Sequence, residues 1–166
     1  MATLDRLDIS NAILSLLKSD STLYGQGKLI NKISIRWQDY ENAKVDRKNP
    51  YQLFLKTPTY EKIQARMQSS DYMITCEYRG EGRTNNAEDA WQWLDDISER
   101  IDYLVDNVMW SGDHLTSHYT NTEATLINIE HTISDQDVID EGSPSAWRAH
   151  LDGIITVEIQ RTKDNS

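Results

Sequence analysis

The stretch NNAEDAWQWLDDISERIDYLVDNV, from Asn85 to Val108, decides how this chain is read. Ala87, Ala90, Trp91, Leu94, Ile97, Ile101, Leu104, Val105 and Val108 recur at three- and four-residue steps. That spacing places side chains on one face of an α-helix. Glu88, Asp89, Asp95, Asp96, Glu99 and Arg100 fill the remaining positions and read as a solvated face. Asn85 or Asn86 supplies an N-cap, and Glu88 and Asp89 sit where the helix dipole favours negative charge. Each larger apolar side chain on the stripe contributes about 2 kcal/mol when buried, so this helix is expected to anchor the core.

Working outward, the flanks read mainly as strands. Before the helix, Ile33, Ile35 and Trp37 alternate with Ser34 and Arg36 within 29–37, residues 51–56 make a short strand, and 71–79 alternate with Tyr72, Ile74, Cys76 and Tyr78 on one face. Gly80-Glu81-Gly82 reads as a break, and 59–68 fits either a hairpin excursion or a helical turn. After the helix, residues 124–131 alternate, with Thr125, Ile127, Ile129 and His131 on one side. Residues 132–146 carry Asp135, Asp137, Asp140 and Glu141, end in Gly-Ser-Pro-Ser, and read as an acidic loop. Residues 147–160 form the closing strand, with Trp147, Ala149, Leu151, Ile155, Val157 and Ile159 on one face. Gly153 in its middle implies a bulge or a close backbone approach. An N-terminal helix over 4–18, capped by Thr3, ends near Gly25 and Gly27, and residues 38–50 read as a loop. Strands clustered around one long helix predict an α+β domain: a mainly antiparallel sheet packed against that helix and the N-terminal one. A chain of 166 residues fits one domain over 1–166, with a polar, flexible tail from 160 to 166.

The composition narrows the function classes. Five Trp and eight Tyr are too many large apolar groups for a disordered chain. A net charge of −10 repels phosphates, which argues against a DNA reader or a membrane-surface protein. Cys76 is the single cysteine, so no intramolecular disulfide forms. No secretion signal is visible at Met1 to Asp5, and no apolar run reaches the ~20 residues of a membrane-spanning helix.

Each candidate for chemistry fails on spacing or context. Tyr24-Gly25-Gln26-Gly27-Lys28-Leu29 lacks the distant glycine and the Ser/Thr of a phosphate loop and reads as a glycine turn. Asp113, His114, His118 and His131 suggest a metal, but the first three sit in loop-like composition, and His-Leu-Thr-Ser-His lacks the glutamate of a zinc hydrolase. Cys76 reads as a small buried hydrophobe, and His150 as a surface or interface residue. No catalytic, cofactor-binding or metal-ligating residue is expected, and the chain is read as a non-enzyme. The remaining signals concern assembly. Trp110 follows the long helix and Trp147 follows the acidic loop; core is the default reading of each, and tryptophan beside such a loop also serves as a hot-spot anchor. Trp110, Asp135, Asp137, Asp140, Glu141 and Trp147 are therefore the expected subunit or partner interface, with loops 38–50 and 132–146 reaching neighbours.

Three segments carry a family resemblance. They are Leu4 to Leu17, the helix opening NNAEDAWQWL after a strand ending Tyr78-Arg79-Gly80, and the closing strand LDGIITVEIQ from Leu151 to Gln160. In the order of these elements the chain resembles tail terminator and tail completion proteins of tailed bacteriophages. The resemblance implies a structural virion protein at the tail–neck junction, assembled in the host cytoplasm. It implies a homo-oligomeric ring, hexameric in that family, that caps the tail tube, ends its polymerisation and meets the neck. DNA would pass through the lumen without specific binding, with no cofactor and no membrane involved. The rival readings are a head–tail connector or neck ring of the same particle, a small metal-dependent hydrolase, and an adaptor with a peptide groove.

Overall fold

A computed structural model describes residues 6–34, 50–65, 67–109, 124–142 and 147–162. Helix α1 (Arg6–Ser19) leads into β1 (Lys32–Ser34), β2 (Tyr51–Leu55), β3 (Thr59–Ala65) and β4 (Ser69–Thr84). Helix α2 (Ala87–Tyr103) continues as a π-helical segment over Leu104–Met109, and β5 (Ala124–Asp140) and β6 (Trp147–Thr162) close the chain. The fold is α+β, with a mostly antiparallel six-stranded sheet and two helices.

The sheet order is β1-β2-β4-β6-β5, and only β1 and β2 run parallel. Strand β6 pairs with β4 along its whole length, from Trp147 opposite Thr84 to Thr162 opposite Ser69. On the other edge of β4, β2 covers Tyr78–Gly82 and β3 covers Ser70–Thr75. These two short strands therefore lie end to end. One face of the sheet carries the core: Leu53, Leu55, Ile74, Cys76, Tyr78, Leu151, Ile155 and Val157 pack with Ile13, Leu16 and Leu17 of α1 and Ala90, Trp93, Leu94, Ile97 and Ile101 of α2. Arg100 ties the helices together, with Nε and Nη2 donating to Asp20 just past α1 at 2.8 and 2.6 Å.

Several sequence expectations change. Gly80-Glu81-Gly82 does not break the strand; it lies inside β4. A β-carbon at Gly82 would come within 3.0 Å of both the Trp93 and Tyr51 rings, so the glycine makes room for an indole. This packing also decides the face of α2. Trp93 is buried and donates its Nε1–H to the carbonyl of Leu29 at 2.8 Å, whereas Trp91 is 48% exposed. The N-cap is Asn86, whose Oδ1 accepts from the Asp89 N–H at 2.8 Å. Residues 59–65 form strand β3, not a helical turn.

The acidic loop expected over 132–146 is instead strand as far as Asp140, paired with β6 through Asp140 opposite Trp147. The backbone of β6 requires partners on both sides, and β5 supplies them on the edge. Its acidic residues are charges on an edge strand, where they discourage further pairing. A register shift between Leu126 and Asn128 also puts Ile127 in solvent while Ile129 stays buried. At the chain's end β6 reaches Thr162, so residues 160–162 belong to the sheet and not to a flexible tail. Of the first expected strand, only 32–34 is seen as β1, with Ile33 buried; Ile35 and Trp37, like loop 38–49 and the cap Thr3, lie outside the described residues.

Candidate functional site

Away from the helices, the other face of the sheet holds an ordered array of charges. It follows directly from register, because residues directly opposite on paired strands share a face. One row reads Phe54, Arg79, Asp152, Asp135 across β2, β4, β6 and β5, and the next reads Gln52, Glu81, His150, Asp137. A third brings Arg83 beside Arg148 and Ile139.

Arg79 grips Asp152 with a fork: Nε donates to Oδ1 at 2.8 Å and Nη2 to Oδ2 at 3.1 Å. Glu81 is only 1% exposed and lies 3.4 Å from Arg148 Nε and 3.8 Å from His150 Nδ1. Burial is the main cause that pushes its carboxyl up to about 7, with Arg148 and Arg79 pulling the other way. The far nitrogen of His150, Nε2, lies 3.3 Å from Asp152 Oδ2 and 3.5 Å from Asp135 Oδ2. Neither ring nitrogen of His150 meets hydrogen-bond geometry with these neighbours, and neither does Oε2 of Glu81. Asp135, His150 and Asp152 thus form a His/carboxylate group whose donor atoms lie within 4.8 Å of one another.

The expected interface residues distribute around this array. Asp135 belongs to it. Asp137 faces the same side opposite His150 and is exposed. Glu141 approaches Arg83 at 3.6 Å and Arg148 at 3.9 Å. Asp140 caps the end of β5 by accepting the Gly142 N–H at 2.9 Å, and Trp147 is half-buried opposite Thr84 and Asp140. Trp110 lies outside the described residues, as do Asp113, His114 and His118.

His131, the fourth residue of that sequence group, is among the described residues. It lies on the core face, where Nδ1 meets Asp102 of α2 and Nε2 meets the Tyr78 hydroxyl at 2.5 Å. With Asp102 accepting from Nδ1–H, Nε2 is left to accept from Tyr78. His150, expected as a surface or interface residue, has a side chain 12% exposed and enclosed by charged neighbours. The sequence placed Arg79, Glu81, His150 and Asp152 in no common site because they come from strands about 70 residues apart. The only visible signal was polar residues alternating with the apolar face of β6. The 24–29 segment is a turn, with the Lys28 N–H donating to the Gly25 carbonyl at 3.2 Å. It lines a shallow cleft of about 530 Å³ with Tyr51, Asp89, Gln92, Trp93 and Asp96.

The second distinctive surface is β3. All seven of its residues are exposed, Tyr60 and Ile63 among them, and Met67 just beyond is 91% exposed. Tyr60 stacks on Tyr72 of β4 at 4.8 Å between ring centroids. Among the described residues β3 pairs with β4 and with no other strand. A scan against protein-family models and a search of curated proteins each found no match to this chain.

Proposed function

We propose that this chain is a structural virion protein of a tailed bacteriophage: a terminator-like ring subunit that caps the tail tube, ends its polymerisation and joins the tail to the neck. The observation that carries the reading is the exposed strand β3, which among the described residues pairs with β4 alone. A seven-residue edge strand with both faces exposed and with Tyr60, Ile63 and Met67 in solvent is a liability for an isolated monomer. Natural proteins cover or pair such edges, and a ring subunit does so with its neighbour. The element order, an N-terminal helix, strands, a long helix and two long closing strands, agrees with the family resemblance. The charge of −10 suits a lumen that lets DNA pass, because phosphate binding requires clustered Lys and Arg.

In this reading the partners are further copies of the chain, the tail tube protein and the neck protein. The test is the mass of the assembled species by multi-angle light scattering, alone and with tail-tube protein. A closed oligomer is expected, and Ile63→Lys with Met67→Lys should shift it towards monomer while circular dichroism stays unchanged. A folded protein that remains monomeric under both conditions would sink the proposal. The nearest rival, a connector ring, is separated by electron microscopy of particles lacking the protein. Loss of a terminator leaves over-long tails, whereas loss of a connector leaves normal tails detached from filled heads.

A further inference from the structure

We propose that Asp135, His150 and Asp152 bind one divalent transition-metal ion of the zinc class on the outer face of the sheet. This inference stands apart from the assembly reading.

Geometry comes first. Zinc bonds nitrogen and oxygen at 2.0–2.2 Å, so tetrahedral donors lie roughly 3.4 Å apart. His150 Nε2 lies 3.3 Å from Asp152 Oδ2 and 3.5 Å from Asp135 Oδ2. These separations suit donors converging on an ion. One imidazole and two carboxylates form a mixed nitrogen and oxygen set, which favours zinc and its neighbours over calcium or magnesium. The carboxylate of Asp135 is 61% exposed, which leaves an entry path and room for water to complete the coordination.

The independent observation lies behind the ligands. Metal-bound histidine usually directs its other ring nitrogen at a carboxylate, and ligating carboxylates are themselves held by hydrogen bonds. Both features are present. Glu81 is buried and its Oε1 faces His150 Nδ1 at 3.8 Å, while both buried ring nitrogens of His150 lack a hydrogen-bond partner; the other Glu81 oxygen, Oε2, lies 3.4 Å from Arg148 Nε. Arg79 fixes Asp152 through its fork.

The untagged full chain is titrated with zinc and, in parallel, with cobalt, using calorimetry and the visible absorption of cobalt. The expected result is one equivalent bound per chain. Asp135→Asn, an exposed position whose change spares the core, should weaken binding by at least about tenfold. His150→Gln should abolish it, and Glu81→Gln should weaken it by about tenfold through the orientation of His150. Replacing His114 and His118 by Ala should leave it unchanged. Circular dichroism confirms folding of each variant. The proposal is overturned if the folded chain binds neither ion at millimolar concentration. It is equally overturned if Asp135→Asn binds like the parent, or if binding is lost with His114 and His118.

Discussion

The ring of Tyr78 occupies the space that a side chain at Gly153 would need: a β-carbon built on Gly153 would lie inside the van der Waals surface of the Tyr78 ring and hydroxyl. The two residues are directly opposite on β4 and β6, and Tyr78 is fully buried. The glycine is therefore a seat for the aromatic ring in the middle of the longest strand pair.

Gly153→Ala should accordingly destabilise the protein by about 1–3 kcal/mol or more, as overpacking does in a tight core. Adding Tyr78→Leu should recover part of that loss, because it removes the atoms in conflict. Urea denaturation of the two single variants and the double variant measures the coupling. Strictly additive effects would contradict the packing argument.

Tyr78→Phe keeps the ring in its seat and deletes only the hydroxyl. His131 Nε2 then loses its partner while its side chain remains buried. The expected cost is about 1–3 kcal/mol, the range for a buried polar group left unsatisfied. Urea midpoints for Tyr78→Phe and for Asp102→Asn should rank with Tyr78→Phe the more damaging, since Asp102 is largely exposed and water can replace it.

Asp20 links acid stability to the junction of the helices. Hydrogen bonds from Arg100 hold its carboxyl below the usual carboxylate range, opposed by burial and aided by the Arg100 charge and the Leu23 N–H. A folded pKa below the unfolded value means that this stabilisation is present above the unfolded pKa and is lost as pH falls through the folded one. Asp20→Asn should therefore be less stable than the parent by about 1.5–3 kcal/mol at neutral pH, with the gap closing as pH drops below about 4. Chemical denaturation across that range provides the comparison. A gap that stays constant with pH would refute the role given to the Asp20 charge.

Cys76 offers a probe of opening. Burial pushes its thiol up to about 12, with the neighbouring Glu77 adding to the shift, and no part of the side chain reaches solvent. A thiol reagent at mildly alkaline pH should leave native protein unmodified and react fully in urea. Its slow native rate should increase in Gly153→Ala by about tenfold for each 1.4 kcal/mol of stability lost.

Local patterns reported local structure well. The period of the long helix, the alternation of β6 and the burial of Cys76 all depend on neighbours in sequence, and each agrees with the fold. Where a strand depended on a distant partner, the local pattern misled. Gly80-Glu81-Gly82 looked like a break because its reason for being glycine is Trp93 of α2. Residues 132–140 looked like a loop because an edge strand needs little apolar alternation when β6 supplies its hydrogen bonds. The sequence reading put Trp91 on the apolar stripe, whereas the glycine seat on β4 takes Trp93 and leaves Trp91 half exposed.

By itself, then, the sequence determined the fold class, the position and N-terminal cap region of the long helix, and an acidic surface, because hydrophobic period, capping and net charge are properties of a segment or of composition. The tertiary structure decided the meeting of Arg79, Glu81, His150, Asp152 and Asp135, and the pairing of the exposed β3 with β4. Those features arise from strand register, which brings residues about 70 positions apart face to face. Register is set jointly by the whole sheet and its helices and is written in no single stretch of the chain.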